Sequence, residues 1–364
     1  MGSEMCIRDR FEDSLVQLYQ QLVGSTFVSD SGLVSLKRQN FRKPKRSDLP
    51  NLNHYAKLIN GISQSFIVGY TEGTRGCKHI CRHCPIVPVY NGRFFVIQPD
   101  VVMEDIRQQV EAGAEHITFG DPDFFNGPGH ALKLVESFHQ EFPNLTYDVT
   151  IKIEHLLAHR ERLRLLAETG CLFVTTAVEE IDDEVLCRLE KSHTQADFKE
   201  VVHATNAADL TLSPTFIPFH PWTTTYGFID LLSMISELDL IENVAPVQLG
   251  IRLLIPEGSR ILELTEINQF LGDFDAEKLS YRWKPDDPRA DELQSKVYEA
   301  IQFGVSEGAS RRSIFEQVWF LAHNACEQSA PALPPERAES IPVPAMSEPW
   351  YCCAEPTDEQ ISGL

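Results

Sequence analysis

Three cysteines lie within eight residues of the chain, at Cys77, Cys81 and Cys84, and their thiols are the groups best suited to chemistry. The apolar segment 65–70 just before them is followed by two glycines, which predicts a short strand that ends in a loop. The cysteines are therefore expected beyond the C-terminal end of a strand, where α/β barrels carry their reactive groups. Three thiolates on one loop fit an iron–sulfur cluster of the [4Fe-4S] type, with one iron left open to chelate a small molecule.

A structural zinc site is the alternative interpretation of these cysteines. Such sites usually close with four Cys or His ligands and favour paired short spacings, and His79 or His83 could supply the fourth ligand. Cysteines without any shared ligand are a further alternative. The spacing of three and then two intervening residues favours the cluster.

The CxxxCxxC spacing resembles that of the radical S-adenosylmethionine (radical SAM) superfamily. The resemblance implies that Cys77, Cys81 and Cys84 hold a [4Fe-4S] cluster whose open iron chelates the amino and carboxylate groups of SAM. It also implies that His83, the residue before the last cysteine, lies against the adenine of SAM.

The segment His116–Phe119 is predicted to be the second core strand, and it ends in a loop rich in glycine, proline and carboxylates. Radical SAM enzymes carry a Gly-Gly-Glu-type motif there, which holds the SAM ammonium group. Here the motif begins Gly120-Asp121 and continues Pro122-Asp123, a match in place and chemistry but not letter for letter. The resemblance thus assigns Gly120, Asp121 and Asp123 to SAM binding. Alternatively, both aspartates are turn and helix-cap residues.

Two further strands are predicted over 145–153 and 171–178. His155 follows the first, and we expect it to be a polar lining residue, with a substrate acid–base role as the alternative. Glu179 follows the second, in a stretch that resembles the radical SAM phrase in which a strand ends in Val-Glu-Ser and a Lys-Gly/Ser-x-Thr turn comes later. The resemblance implies that Glu179 reaches the SAM ribose or the substrate. By itself, it would more often be a solvated carboxylate at a helix start.

The fifth and sixth strands are predicted over 210–219 and 246–255. Arg252 lies inside the sixth, and a charge within an apolar strand is costly unless it is paired. Two partners are equally compatible: the SAM carboxylate at the barrel mouth, or a structural salt bridge to a neighbouring strand. His220 and Trp222 follow the fifth strand and are expected in a pocket wall or, equally, in a packed corner.

The predicted fold class is α/β, because strand and helix alternate about six times over 58–260 without a glycine-rich Rossmann fingerprint. With the resemblance, this pattern implies a radical SAM partial (β/α)6 TIM-type barrel, with its core domain over 58–285. An N-terminal helix and linker are expected over 1–57, of which 1–10 are expected to be non-native. A helical extension is expected over 286–328 and a proline-rich arm over 329–364.

The arm ends in a motif that contains two adjacent cysteines, Cys352 and Cys353, followed by Ala-Glu-Pro. A radical SAM barrel with such an arm resembles the CUAEP/CCAEP-tail radical SAM (seleno)protein family, some members of which have selenocysteine at the position of Cys353. Adjacent thiols chelate soft ions well, and a position that accepts selenium suggests a nucleophile of low pKa. We therefore expect Cys352 and Cys353 at the active site. A disordered tail with incidental cysteines is the alternative.

Composition limits the partners. Asp and Glu outnumber Lys and Arg by 53 to 32, a net charge of −21, which argues against non-specific binding to nucleic acid. No run approaches the ~20 apolar residues of a membrane span. Nine cysteines and the lack of a secretory signal after Met1 favour a reducing compartment, so we expect no membrane partner and a cytoplasmic location.

The sequence therefore predicts an enzyme that uses a [4Fe-4S] cluster to cleave SAM reductively and transforms a small-molecule substrate, with a reducing partner such as flavodoxin or ferredoxin. One alternative is transfer of the 3-amino-3-carboxypropyl group of SAM to a soft, metalloid acceptor. Another is a non-enzymatic iron–sulfur electron carrier or a zinc-stabilised binding module. A carrier has little use for a barrel-sized chain or for the phrase around Glu179.

Overall fold

A seven-stranded sheet forms the centre of the computed structural model, which describes residues 40–60, 64–335, 342–347 and 353–356 together with Tyr19 and Val23. Apart from Tyr19 and Val23, the predicted N-terminal helix after residue 10 thus lies outside the described part of the chain, and so do all of the last eight residues. The strands are β1 (Lys57–Asn60), β2 (Gln64–Thr71), β3 (Thr74–Gly76), β4 (Phe94–Val96), β5 (His116–Phe119), β6 (Thr146–Thr150), β7 (Cys171–Glu179), β8 (Leu212–Phe216), β9 (Leu271–Asp275), β10 (Ser280–Trp283) and β11 (Ala345–Met346). The helices are α1 (Val87–Tyr90), α2 (Pro99–Glu111), α3 (Pro128–Glu141), α4 (Ile153–Ala158), α5 (Leu163–Glu168), α6 (Asp183–Arg188), α7 (Gln195–Ala207), α8 (Thr225–Glu237), α9 (Pro288–Ser306) and α10 (Arg311–Ala325).

The main sheet has the order β11-β1-β2-β5-β6-β7-β8. Its five strands from β2 to β8 run parallel, and helices connect successive strands. A parallel bridge between Phe219 and Arg252 extends this edge by one more position. The result is an α/β fold with a curled half-barrel sheet, in which the C-terminal ends of the parallel strands share one edge.

The predicted sixth strand over 246–255 is wrong for its first half. Residues Pro246–Gly250 form a 3-10 helix, and only the single bridge at Arg252 pairs with the segment after β8. Proline has no N–H to give to a ladder, and its fixed φ suits the first turn of a helix. An apolar run alone did not reveal this turn.

Three local features shape the segments between the strands. The helical segment after β6 is divided into α4 and α5 by a 3-10 turn, Arg160–Arg162. Helix α2 begins at Pro99, and Gln98 occupies its cap position. Asn91 and Gly92, with φ of 45° and 71°, form a turn that follows the short helix α1 and leads into β4 of the β3–β4 pair.

The helical extension and the arm pack on the half-barrel. Leu293 and Val297 of α9 are buried in the same apolar core as the parallel strands. Leu333 of the arm packs against that core, and Val343 is buried beside β1. β11 then pairs antiparallel with β1, an edge strand that the sequence did not predict. Across the described ranges, every helix is too short or too polar to cross a lipid bilayer.

Candidate active site

The three clustered cysteines lie on the loop between β3 and α1. Cys77 and Cys81 are buried and Cys84 is half-buried. Cys77 packs in a small apolar cluster with Ile86 and Tyr90, and Cys84 lies against the same cluster. Burial raises the pKa of the Cys77 thiol to about 12, because a thiolate there loses its hydration. The loop therefore offers a water-poor set of sulfur ligands, at the place that the sequence predicted.

The start of this cysteine loop is fixed by Asn126, which follows β5. Its Nδ2 donates to the carbonyl oxygen of Gly76 at 3.1 Å, and its Oδ1 accepts from the backbone N–H of Lys78 at 3.1 Å. Gly76 has a φ of 80°, and a Cβ there would lie 2.4 Å from the Tyr90 ring. Only glycine therefore suits this entry to the loop. The role of Asn126 could not be inferred from residue type or spacing.

The other end of the cysteine loop is held by charges. Glu190 accepts from Arg82 at 2.9 Å and from Arg260 at 2.5 Å, and the backbone N–H of Arg82 donates to the carbonyl oxygen of Leu189 at 2.9 Å. The Ser259 hydroxyl donates to the carbonyl oxygen of Arg82 at 3.2 Å. Segments far apart in the chain thus position the residues next to the last cysteine.

Glu179 ends β7 at the same edge and contacts the cysteine loop. Its Oε1 lies 3.1 Å from Nε2 of His83 and 3.2 Å from Nζ of Lys191, and all three side chains are buried. Burial alone would raise the pKa of Glu179, but the Lys191 cation and His83 hold it well below its usual range. Its φ of 69° is uncommon for a non-glycine residue. The predicted strand-end carboxylate is therefore an ion-paired buried group.

Asp121 is used by the fold itself. Its Oδ2 accepts from the backbone N–H of Gly73 at 2.8 Å, and its Oδ1 accepts from the Thr74 hydroxyl at 2.6 Å. Burial raises its pKa to about 7. The preceding Gly120 has no space for a side chain, since a Cβ would lie 1.9 Å from the Tyr70 oxygen. These contacts give both residues a structural task in joining the ends of β2 and β5.

Asp123 differs from Asp121, because only one of its oxygens is committed locally. Oδ1 accepts from the backbone N–H of Phe125 at 3.3 Å, which caps a 3-10 turn. Oδ2 lies 3.6 Å from Nε2 of His79 and 2.6 Å from Nδ1 of His155. The Asp123 carboxylate is therefore close to two histidines, His79 of the cysteine loop and His155, which the sequence analysis expected to be a polar lining residue.

Two charged residues after β6 complete the polar interior, and the sequence analysis did not assign them a role. Lys152 Nζ lies 2.7 Å from Oε1 of Glu154 and 3.4 Å from Sγ of Cys81. Burial would raise the pKa of Glu154, but the adjacent Lys152 cation lowers it to about 2. A buried lysine within a predicted strand was the available signal, since such a charge needs partners.

Arg252 contacts the C-terminal tail. Its Nε lies 3.0 Å from Oε2 of Glu355, its Nη1 pairs with Asp291, and its guanidinium stacks 3.8 Å from the Trp283 ring centre. Two partners were predicted for Arg252, the SAM carboxylate and a structural salt bridge to a neighbouring strand. The described contacts are structural salt bridges, but they join Arg252 to the tail and to helix α9 and not to a strand. A role for Arg252 in SAM binding stays a prediction.

The tail residues 353–356 return to the half-barrel beside this arginine. Ala354 forms an antiparallel bridge with Leu253, and the carbonyl oxygen of Cys353 accepts from the backbone N–H of Leu254 at 2.9 Å. The half-buried Cys353 side chain is hydrogen-bonded with the thiol of Cys84 and is the main cause that lowers the pKa of Cys84 to about 6. Cys352 lies outside the described residues.

A cavity of about 420 Å³ opens beyond β7, between the strand end and α8. His220 and Trp222 line it, as the pocket-wall interpretation expected. His220 Nε2 lies 3.0 Å from Oε2 of the buried Glu180. The cavity is lined by Glu180, the residue after Glu179, and the residues of the cysteine loop do not line it.

Comparison with known proteins supports these expectations. Residues 71–231 match the family model of the Radical SAM superfamily. A ribosomal protein uS12 methylthiotransferase RimO of Syntrophotalea carbinolica is 24% identical over 184 residues, which cover 48% of this chain and 40% of that protein. RimO of Porphyromonas gingivalis is 22% identical over 253 residues, covering 59% and 55%. The chain thus spans about half the length of the curated relatives it matches.

A solved structure supports the fold. The cobalamin-dependent S-adenosylmethionine radical enzyme OxsB, with aqua-cobalamin and S-adenosylmethionine bound, aligns with a TM-score of 0.55 at 13% identity, over 65% of this chain and 41% of that one. Members of the superfamily are enzymes that use a [4Fe-4S] cluster and SAM. The matched segment contains β5 to β8 and the cysteine loop. Residues 71–231 of this chain are therefore a radical SAM superfamily domain.

Proposed function

We propose that this chain is a radical SAM enzyme that transforms a small-molecule substrate with tail thiols at its active site. One observation carries the proposal: the tail returns to the half-barrel, where Ala354 forms a bridge with Leu253 and the Cys353 carbonyl oxygen accepts from the backbone N–H of Leu254 at 2.9 Å. This brings the Cys353 thiol to Cys84, a cysteine of the CxxxCxxC loop. A tail that served only as a solvated extension would have no reason to bring a thiol to this loop.

The residues of the cysteine loop fit a [4Fe-4S] cluster. Cys77, Cys81 and Cys84 would hold it, because three thiols in a water-poor pocket are the ligands that such clusters take. The Lys152 amine, 3.4 Å from the Cys81 sulfur, places a positive charge beside the developing thiolate. When bound, a cluster of this kind supplies the electron for reductive cleavage of SAM.

SAM is proposed to lie along the strand edge beside these ligands. Glu179 and His83 form a buried polar pair there, suited to the ribose and the adenine, while Gly120, Asp121 and Asp123 form the loop proposed for the ammonium group. Asp121 would act by shaping that loop, since both its oxygens have partners. Arg252 is proposed to bind the SAM carboxylate. The SAM carboxylate would then compete with Glu355 for the Arg252 guanidinium.

SAM affinity tests this arrangement. Glu179→Gln and Asp123→Asn should each weaken SAM binding by ~1–3 kcal/mol, the cost of a lost charge-assisted hydrogen bond, while Arg252→Lys tests the third contact. Equilibrium binding of SAM to the reconstituted protein provides the measurement. If SAM affinity is unchanged in all of these variants, the proposed SAM site is in the wrong place.

The tail thiols Cys352 and Cys353 are proposed to hold the substrate, donate a hydrogen atom or relay electrons. The antiparallel bridge at Ala354 and the Arg252–Glu355 pair would anchor the end of the tail at the half-barrel. The partners would be a small molecule and a reductant such as flavodoxin or ferredoxin, and the location cytoplasmic. Resemblance to the CUAEP/CCAEP-tail family supports the same assignment.

Tail variants provide the sharpest test. Truncation before Trp350 and Cys353→Ser should leave iron content and SAM binding nearly intact but abolish coupling of SAM cleavage to substrate turnover. Cys187→Ser is the matched control, because the Cys187 side chain is exposed on α6. Normal substrate turnover by the truncated protein would show that the tail does not take part in catalysis.

Product analysis separates the proposal from its main alternative. Anaerobic reaction with SAM and dithionite, followed by chromatography, should give 5′-deoxyadenosine if the C5′–S bond is cleaved. Transfer of the 3-amino-3-carboxypropyl group leaves 5′-methylthioadenosine instead. A carrier or zinc-stabilised binding module would give neither product. The relatives named as methylthiotransferases do not define the acceptor, since the match covers only about half of their length.

A further inference from the structure

Three lone-pair-bearing atoms converge beside the cysteine loop without hydrogen bonds. They are Nε2 of His79, Oδ2 of Asp123 and Nδ1 of His155, which all lie within 4.8 Å of one another. Each atom is buried, and none has a hydrogen-bond partner among the described residues. Buried polar atoms are nearly always satisfied, so three orphans at one point indicate a missing common partner.

Direct hydrogen bonding does not satisfy this group. His155 Nδ1 and Asp123 Oδ2 lie 2.6 Å apart, but neither atom has a hydrogen-bond partner among the described residues. His79 Nε2 is 3.6 Å from the same oxygen, beyond hydrogen-bond reach. Asp123 therefore faces both imidazoles without bonding well to either.

The separations distinguish a metal ion from an ammonium group. Ligand atoms about 2.1 Å from a metal lie roughly 3.0–3.4 Å apart in octahedral or tetrahedral shells. Acceptors about 2.8 Å from an ammonium nitrogen lie roughly 4.6 Å apart. The two distances from Asp123 Oδ2, 2.6 and 3.6 Å, lie on either side of the metal value, and the three atoms all lie within 4.8 Å of one another.

The surroundings of His79 fit a ligand role. Its other nitrogen, Nδ1, lies 3.3 Å from Oε1 of Glu154, which in turn lies 2.7 Å from Nζ of Lys152. Metal-binding histidines usually present their second nitrogen to a carboxylate, which fixes the tautomer and turns the free lone pair toward the metal. Glu154 is placed to do this for Nε2.

We propose that His79, Asp123 and His155 form a second metal site, separate from the cysteine ligands, for a divalent first-row transition metal such as Fe²⁺ or Zn²⁺. Two imidazoles and one carboxylate are the ligands of non-haem Fe²⁺ sites, and a similar set occurs in catalytic zinc sites. Three protein ligands leave a coordination position open for an oxygen or nitrogen donor. It assigns Asp123 Oδ2 to the metal instead of to the SAM ammonium group, which would then be left to the backbone of the loop 120–123. The proposal stands whether or not the tail takes part in catalysis.

The site is tested in a chain that cannot hold the cluster. The Cys77→Ser, Cys81→Ser, Cys84→Ser triple variant is titrated with Co²⁺ or Zn²⁺ without SAM. We expect one equivalent to bind, and Co²⁺ absorption without thiolate-to-metal charge transfer, which separates this site from the remaining cysteines. Added His155→Ala or Asp123→Asn should remove binding, and Glu154→Gln should weaken it about 10–100-fold.

His159→Ala is the matched control, since His159 lies one helical turn beyond His155 with its ring centre 6.3 Å away. It should leave metal binding unchanged. If the triple variant does not fold by circular dichroism, the same question is answered with the reconstituted wild-type protein. Its total iron plus zinc should exceed inorganic sulfide by about one atom per chain, because iron and sulfide are equal in number in the cluster.

Three outcomes would overturn the proposal. Metal that never exceeds sulfide or binds the cluster-free chain only through thiolates excludes the site. Equal loss in His155→Ala and His159→Ala shows a general effect on the helix. Weaker SAM binding in His155→Ala, without metal binding in any variant, assigns the three side chains to SAM. A failed search for enzyme turnover leaves the metal titration unaffected, so the two proposals fail separately.

Discussion

The two candidate metal-binding sets of this molecule are built in opposite ways. Cys77, Cys81 and Cys84 come from one loop of eight residues, whereas His79, Asp123 and His155 come from three segments that follow β3, β5 and β6. The second set exists only because β5 and β6 pair in parallel with Phe119 opposite Val149, which aligns their ends. The first needs a loop of the right spacing, and the second needs the register of the sheet.

Because of this difference, the two sets of ligands are sensitive to different kinds of substitution. Local thiols keep their mutual spacing as long as the loop exists, so their chemistry depends mainly on residue type. The His–Asp–His group depends on strand ends, where a one-residue slip reverses the direction of each side chain. Sheet destabilisation should therefore disperse the second set before it removes the first.

The largest expected effect breaks the local set alone. In the Cys77→Ser, Cys81→Ser, Cys84→Ser variant, sulfide and the iron of the cluster should fall from about four of each per chain to none, because hydroxyls do not hold this cluster. Anaerobic reconstitution followed by iron, zinc and sulfide analysis is the measurement, with Cys187→Ser as the control. One zinc and no sulfide in the wild-type protein would favour the zinc interpretation instead.

A smaller effect is expected on the free energy of unfolding when Glu179, which connects the cysteine loop to the end of β7, is changed. Glu179→Gln leaves the buried Lys191 cation without its carboxylate, and loss of one partner of a buried pair costs ~3–5 kcal/mol. Urea denaturation should show this loss in the free energy of unfolding. Glu184→Gln is the control, since 84% of that side chain is exposed and its ion pair lies at the surface. Equal, small losses would mean that Lys191 is stabilised by other groups.

Sequence reasoning succeeded where the information is local. The spacing of the cysteines, the four strands β2, β5, β6 and β7 and the strand-end position of Glu179 follow from residue type and period over a few neighbours. Such patterns reflect burial on a pleated strand, which acts residue by residue. The edge strand β11 was missed, because a two-residue strand far along the chain carries no period of its own. The four-residue edge strand β1, which pairs with it, was missed as well.

Pairing between distant segments could not be predicted. Asp121 and Asp123 are two residues apart after the same strand, and nothing in the sequence tells them apart. In the folded chain, Asp121 accepts hydrogen bonds from Gly73 and Thr74, whereas Asp123 lies close to two histidines. Likewise, the contacts of Lys152 with Cys81 and of Cys353 with Cys84 join residues 71 and 269 positions apart, which only the folded chain brings together.

The smallest expected effect concerns Asn126, which ties the cysteine loop to the end of β5. Asn126→Ala removes its hydrogen bonds with Gly76 and Lys78, at a cost of ~1–2 kcal/mol in the free energy of unfolding. The ligands themselves remain, so a fully reconstituted variant should hold as much iron as the wild type. Because the loop opens more often, its cluster should be lost to an iron chelator several times faster, as followed by visible absorption.

Two further variants make the Asn126 test specific. Asn126→Asp keeps the acceptor for the backbone N–H of Lys78 but loses the donor to Gly76, so it should show an intermediate rate of cluster loss. Asn268→Ala is the control, since that exposed side chain makes only a 3.4 Å contact within its own 3-10 helix. If Asn126→Ala lowers iron content at full reconstitution, the loop is not independent of the sheet, and the contrast between the two ligand sets is one of degree. If the rate is unchanged, the thiol set is held by its own spacing alone.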